Sequence, residues 1–148
     1  MSELWKTPLV VPAVCYTDVP RAAQWLEQAF GFREREGSRL VGDGWTLTWM
    51  EVGGGGLIHL TTGGHGLTPP EQSGFASQSL KVYVHSIDQH FQNATAHGAE
   101  PVMPPADMFW GGRIYRAKDL EGHVWEFSQI DQELSVEQWN LPPNTRRS

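Results

Sequence analysis

The 148-residue sequence predicts an α+β fold built from two copies of a βαβββ unit, and three observations predict it. Each half reads as a strand, an amphipathic helix and then three strands. The glycines that end the two helices, Gly31 and Gly98, stand 67 residues apart, and the strand-to-helix junctions Asp18 and Ser86 stand 68 apart. The fourth strands, GLIHLT and GHVWEF, superpose with Gly56 over Gly122 at an offset of 66, or with His59 over Glu126 at 67. A drift of one residue is what diverged halves of a repeat show.

Residues 8–17, PLVVPAVCYT, are apolar and β-branched and read as a buried strand, with Pro12 marking an edge or bulge. Asp18 caps a helix, and Pro20 falls in its first turn, where a missing N–H does no harm. Ala22, Trp25, Leu26, Ala29 and Phe30 then recur at helical spacing until Gly31. A more polar strand over 32–40 leads to a hairpin turn, Gly42-Asp43-Gly44, and to the strand WTLTWMEV at 45–52. Gly53–Gly56 form a second turn, without the lysine that a phosphate loop carries, and LIHLTT at 57–62 follows.

Residues 63–77, rich in Gly, Pro and Ser, read as a linker between the halves. The pattern restarts with the strand SLKVYVHS at 79–86 and a helix from Ile87 to His97, which has Ile87, Phe91 and Ala94 on one face and Gly98 as its stop. Strands follow at 99–104, 111–119 and 123–129. One domain over 1–130 thus holds a first repeat at about 8–62 and a second at about 78–129; 131–148 is a tail with one helical turn near Val136–Trp139.

Composition narrows the function. With 39% hydrophobic and 19% charged residues, the chain resembles an ordinary water-soluble domain. The net charge is −6 and the basic run is only Arg146–Arg147, which argues against nucleic acid as a partner. No apolar run reaches the length of a membrane span, and MSELWKTP is no signal peptide. The single cysteine, Cys15, excludes an internal disulfide and suits a reducing, cytoplasmic setting.

Alternation sorts the side chains. Val124, Glu126 and Ser128 share one face of the last strand, opposite Trp125 and Phe127; Leu57, His59 and Thr61 share one face of their strand, opposite Ile58 and Leu60. If the apolar members pack under the helices, His59 and Glu126 project from the opposite face at equivalent positions. A carboxylate between a tryptophan and a phenylalanine demands a partner if it is buried. His85, His90 and His97 fall at strand and helix edges, where solvent satisfies them, and His123 follows the turn glycine.

The stretches TDVPRAAQWLEQAFGF at 17–32, VHSIDQHFQNATAHGAE at 84–100 and WGGRIYRAKDLEGHVWEF at 110–127 resemble the vicinal oxygen chelate superfamily. That superfamily contains glyoxalases, fosfomycin-resistance enzymes, extradiol dioxygenases and bleomycin-resistance proteins. With the flanking strands the resemblance spans about 8–129. Leu120 stands where the family usually has proline, and Asp119 and Gly122 supply the turn chemistry regardless. The resemblance implies the glyoxalase/bleomycin-resistance fold, a cup of curved mixed sheet, in a homodimer.

It also implies up to four metal ligands, which fall here on His59, Glu126, Val11 and Ser79. Only His59 and Glu126 are competent ligands, fewer than catalytic zinc or harder divalent ions require. His65, on a glycine-rich loop, would complete only a non-standard triad. The aromatic cavity expected instead is lined by Trp45, Trp49, His59, Phe109, Trp110, Arg113, Tyr115 and Glu126. The leading expectation is a cofactor-free, metal-independent binding protein that sequesters a hydrophobic or aromatic small molecule such as an antibiotic, as on the bleomycin-resistance branch. The alternative is a glyoxalase-like lyase or isomerase, or a dioxygenase, with a divalent metal (Zn, Ni, Mn or Fe) on His59 and Glu126 and with Glu126 catalytic. A third is a subunit whose cup contacts another protein.

Overall fold

In the computed structural model, residues 8–129 and 134–148 are described. Residues 1–7 and 130–133, where the domain was expected to begin and to pass into the tail, lie outside the described residues.

The first strand, β1 (Ala13–Tyr16), begins five residues later than the sequence suggests. Pro8 and Pro12 lack the N–H that pairing needs, although the Pro12 carbonyl still accepts from His59 N at 2.9 Å. Helix α1 (Val19–Phe30) starts where the Asp18 side chain accepts from Arg21 N, and it ends at Gly31, which takes the left-handed conformation with φ 75°. The single strand expected over 32–40 is two: β2 (Arg33–Glu34) and β3 (Leu40–Gly42). A turn divides them, with Gly37 at φ 74° and Ser38 N bonded to the Arg35 carbonyl at 3.1 Å. Strands β4 (Trp45–Val52) and β5 (Gly56–Thr62) complete the first half.

The linker carries one helical turn, α2 (Pro70–Ser73). The second half repeats the order with β6 (Ser79–Val84), α3 (Ile87–Ala96), β7 (Glu100–Asp107), β8 (Arg113–Lys118) and β9 (Val124–Gln129). β7 runs three residues beyond the predicted strand and breaks register after Pro101 and again after Met103, as befits an edge strand containing three prolines. In the tail, a 3₁₀ turn at Val136–Gln138 is capped by Ser135.

The two sheets have one topology. The first runs β1-β5-β4-β2, with β3 also on β4; the second runs β6-β9-β8-β7. In each, the opening strand lies parallel to the closing one, β1 on β5 and β6 on β9, and the remaining pairs are antiparallel. This is the predicted duplication. Helices α1 and α3 cover the same side, burying Ile58, Leu60, Trp125 and Phe127 as alternation requires. The halves share one core: Phe30 of α1 meets Phe127 at 4.7 Å and Trp125 at 5.8 Å, and Phe32 meets Trp125 at 5.3 Å.

The Asp119–Gly122 turn joins the halves a second time. Asp119, 7% exposed, accepts from Tyr16 Oη at 2.6 Å, Trp125 Nε1 at 2.9 Å, and the amides of Glu121 and His123 at 3.0 Å. Glu121, 4% exposed, accepts from Thr17 N and Thr17 Oγ1 at 2.7 Å and from Asp18 N at 3.2 Å. Both carboxylates are therefore buried with their hydrogen bonds made. Gly122 closes the turn at φ 89°.

Candidate ligand-binding face

The sheet surface away from the helices carries His59 and Glu126, as predicted. On the first sheet Trp49 and His59 are directly opposed across β4 and β5, with ring centroids 4.3 Å apart at an interplanar angle of 51°. Burial pushes the His59 imidazole below its ordinary 6.5, which favours the neutral ring, and its buried Nδ1 has no hydrogen-bond partner. Trp45 shares this face at the rim and is half exposed. Its indole lies across Gly42, so close that a Cβ there would stand 2.0 Å from the ring.

On the second sheet Glu126 is flanked by cations from both neighbouring strands. Arg116, its antiparallel partner on β8, donates from Nε at 2.9 Å and approaches through Nη2 at 2.8 Å. Lys81, its parallel partner on β6, brings Nζ to 3.9 Å from the other carboxylate oxygen. Only 13% of the Glu126 side chain is exposed, so this countercharge answers the question its aromatic neighbours raise. The Lys81 ammonium also lies 5.0 Å from the Tyr83 ring and 5.6 Å from the Trp110 ring. Trp110 buries an unpartnered indole N–H. Phe109 packs edge-on against both Trp110 and Trp139, and the tail bonds to this loop through Leu134 N on the Trp110 carbonyl at 2.7 Å and Asn140 N on the Phe109 carbonyl at 3.0 Å.

Two expected lining residues fall elsewhere. Arg113 and Tyr115 share a face of β8, but it is the helix-facing one. Tyr115 is fully buried against Phe91, Phe127 and His90, and Arg113 pairs with Asp88 of α3 at 3.0 Å and with Asp107 at 3.1 Å. His90 is likewise not a solvated edge residue: its Nε2 lies 2.8 Å from the Phe30 carbonyl, so that nitrogen carries the proton and Nδ1 accepts from the Tyr115 hydroxyl. His123 Nε2 meets the Cys15 carbonyl at 2.6 Å, a scaffold contact between the halves.

The donor set does not fit a metal ion. Among the described residues no group of three or more His, Cys, Asp and Glu side chains comes together. The β1 partner of His59 is Ala13, the β6 partner of Glu126 is the cation Lys81, and Ser79 pairs with Val124. Val11 precedes β1, and His65 is exposed on its loop. The sequence reading placed Asp119 in its turn but missed Arg116, Lys81 and Glu121. One signal was available, because Arg116 and Glu126 are equidistant from Glu121, at the centre of the β8–β9 turn.

The family model described as the Glyoxalase/Bleomycin resistance protein/Dioxygenase superfamily matches residues 9–127. The chain belongs to that superfamily. Among solved structures, TioX from Micromonospora sp. ML1 is 33% identical, with 86% of this chain and 100% of that one covered at a TM-score of 0.65. A superfamily enzyme from Burkholderia phytofirmans PsJN is 18% identical over 80% of this chain and 94% of its own, with a TM-score of 0.62. The genomically encoded fosfomycin resistance protein FosX from Listeria monocytogenes is 16% identical over 89% and 97%, with a TM-score of 0.61. The last two likenesses concern the fold alone. No match is found among curated proteins. Among the described residues no helix is long and apolar enough to cross a membrane.

Proposed function

We propose that this superfamily member binds a hydrophobic or aromatic small molecule, such as an antibiotic, on the helix-free face, and sequesters it without a metal ion and without converting it. The observation that carries this reading is the pairing of Glu126 with Arg116 and Lys81. A metal at Glu126 would have to displace two cations, with His59 as its one further competent donor. The same face offers Trp49 tilted against His59, whose imidazole is pushed below its ordinary 6.5 by burial, and Trp110 with a buried N–H that lacks an acceptor. Aromatic surface with few polar anchors suits a planar, largely apolar ligand. A second copy of the chain would enclose a face that a single copy leaves open.

Native mass spectrometry with elemental analysis, paired with tryptophan-fluorescence titration against bleomycin and a hydrophobic naphthalene dye, tests the proposal. The expected result is a homodimer without stoichiometric Zn, Ni, Mn or Fe, whose quenching persists in chelator and weakens in Trp49→Phe. Tight stoichiometric metal that disappears in Glu126→Gln would overturn it in favour of a metal-dependent lyase or dioxygenase.

A further inference from the structure

The C-terminal tail belongs to neither βαβββ unit, yet it is fastened to the loop between β7 and β8. Leu134 N donates to the Trp110 carbonyl at 2.7 Å and Asn140 N to the Phe109 carbonyl at 3.0 Å, so the two ends of this segment grip adjacent loop residues. Between them the segment closes on itself. Ser135 caps the 3₁₀ turn at Val136–Gln138, and Trp139 Nε1 donates to the Leu134 carbonyl at 3.1 Å. Three rings form a row: Trp139 meets Phe109 at 5.8 Å and Phe109 meets Trp110 at 4.9 Å, both edge-on.

The far end of that row lies over the sheet. Lys81 and Glu126 share the helix-free face, and the Lys81 ammonium stands 5.6 Å from the Trp110 ring. Two residues beyond Glu126, Ser128 and its β8 partner Ile114 point to the same face. Both are 0% exposed, although the helices cover the opposite side of the sheet. The Trp110 indole N–H has no hydrogen-bond partner, so its own polar group disfavours the inward position. Turned outward it would bond to water. Packing has to hold the ring in, and Phe109, braced by Trp139, supplies that packing.

We propose that the tail is a component of the binding face: Trp139, acting through Phe109, holds Trp110 over Ile114 and Ser128 as the end wall against which the ligand packs. This rests on the reading of the protein as a small-molecule binder and adds a positioning residue from outside the repeat. Trp110 is the group that touches the ligand, and Trp139 acts only through it. An aromatic ligand gains from such a wall only while the indole is held in place, because ordering a mobile ring on binding costs part of the contact.

Indole N–H exchange followed by NMR, with titration of the full chain by the uncharged dye N-phenyl-1-naphthylamine, tests the proposal. Trp110→Phe identifies the Trp110 indole signal by its absence. Trp139→Ala is expected to speed exchange of that N–H by about tenfold or more and to weaken dye binding by about fivefold or more, with a cooperative melt retained. Trp139→Phe keeps a ring against Phe109 and should stay within about twofold of wild type on both counts. Asn140→Pro deletes the amide that holds the Phe109 carbonyl, and Trp139, at ψ 133°, already has the extended conformation that a following proline requires. It should act as Trp139→Ala does, and it decides the matter if Trp139→Ala does not fold. Unchanged indole exchange in Trp139→Ala, or Trp139→Phe behaving as Trp139→Ala, overturns the proposal. Faster exchange with unchanged dye affinity overturns it too and leaves the small-molecule reading standing. A wild type that binds no dye overturns both.

Discussion

At the scale of single residues, the pairing of ionisable groups separates those that hold the fold from those that face the candidate site. His59 and His90 are both pushed below their ordinary 6.5, chiefly by burial; for His90 the Phe30 carbonyl pulls the other way without prevailing. Below 6.5 the unfolded chain takes up protons at these positions that the folded chain refuses, so stability is complete above that value and is lost as the pH falls. The midpoint of urea unfolding is therefore expected to drop between about pH 7.5 and about pH 5.5, and His90→Gln should flatten that slope. An unchanged slope in the variant would show that His90 protonates freely in the fold. Burial also pushes the Tyr115 hydroxyl up, which keeps it protonated as the donor to His90.

At the scale of elements, the turn between β8 and β9 fastens the second half to the start of the first. Glu121 satisfies two backbone amides and a hydroxyl at the junction of β1 with α1, all of which would be orphaned by its removal. Glu121→Ala is expected to cost about 2–4 kcal/mol in denaturant unfolding. Gly122→Ala should cost about 1–3 kcal/mol, because a β-carbon is strained at its positive φ and crowds α2. That Cβ would stand 3.2 Å from Pro70 Cβ and 3.3 Å from Glu71 N, at a φ of 89°. A melt no different from wild type for Glu121→Ala would mean that water replaces the carboxylate at no loss.

At the scale of the whole molecule, the repeat folds as one unit because its two sheets share an aromatic core. Phe30 comes from the first half and packs chiefly on the second, against Trp125 and Phe127. Phe30→Ala should lower stability by about 3–5 kcal/mol while circular dichroism and tryptophan fluorescence still report one coincident transition. Two separated transitions would show that the halves fold independently.

The sequence by itself determined the duplication, the extent of both helices and the face on which His59 and Glu126 lie. These follow from local rules: the periods of helix and strand, the helix cap at Asp18, and the left-handed stop at Gly31. The chain could also show that Arg113 and Tyr115 share a face, but not which one. In RIYRAK both faces of β8 mix apolar and charged residues, so only packing against α3 and β9 decided that Tyr115 faces the core. The setting of Glu126 depended on tertiary structure for the same reason. Arg116 reaches it through the hairpin register and Lys81 across a parallel pairing 45 residues away, and neither pairing is encoded by alternation within a single strand.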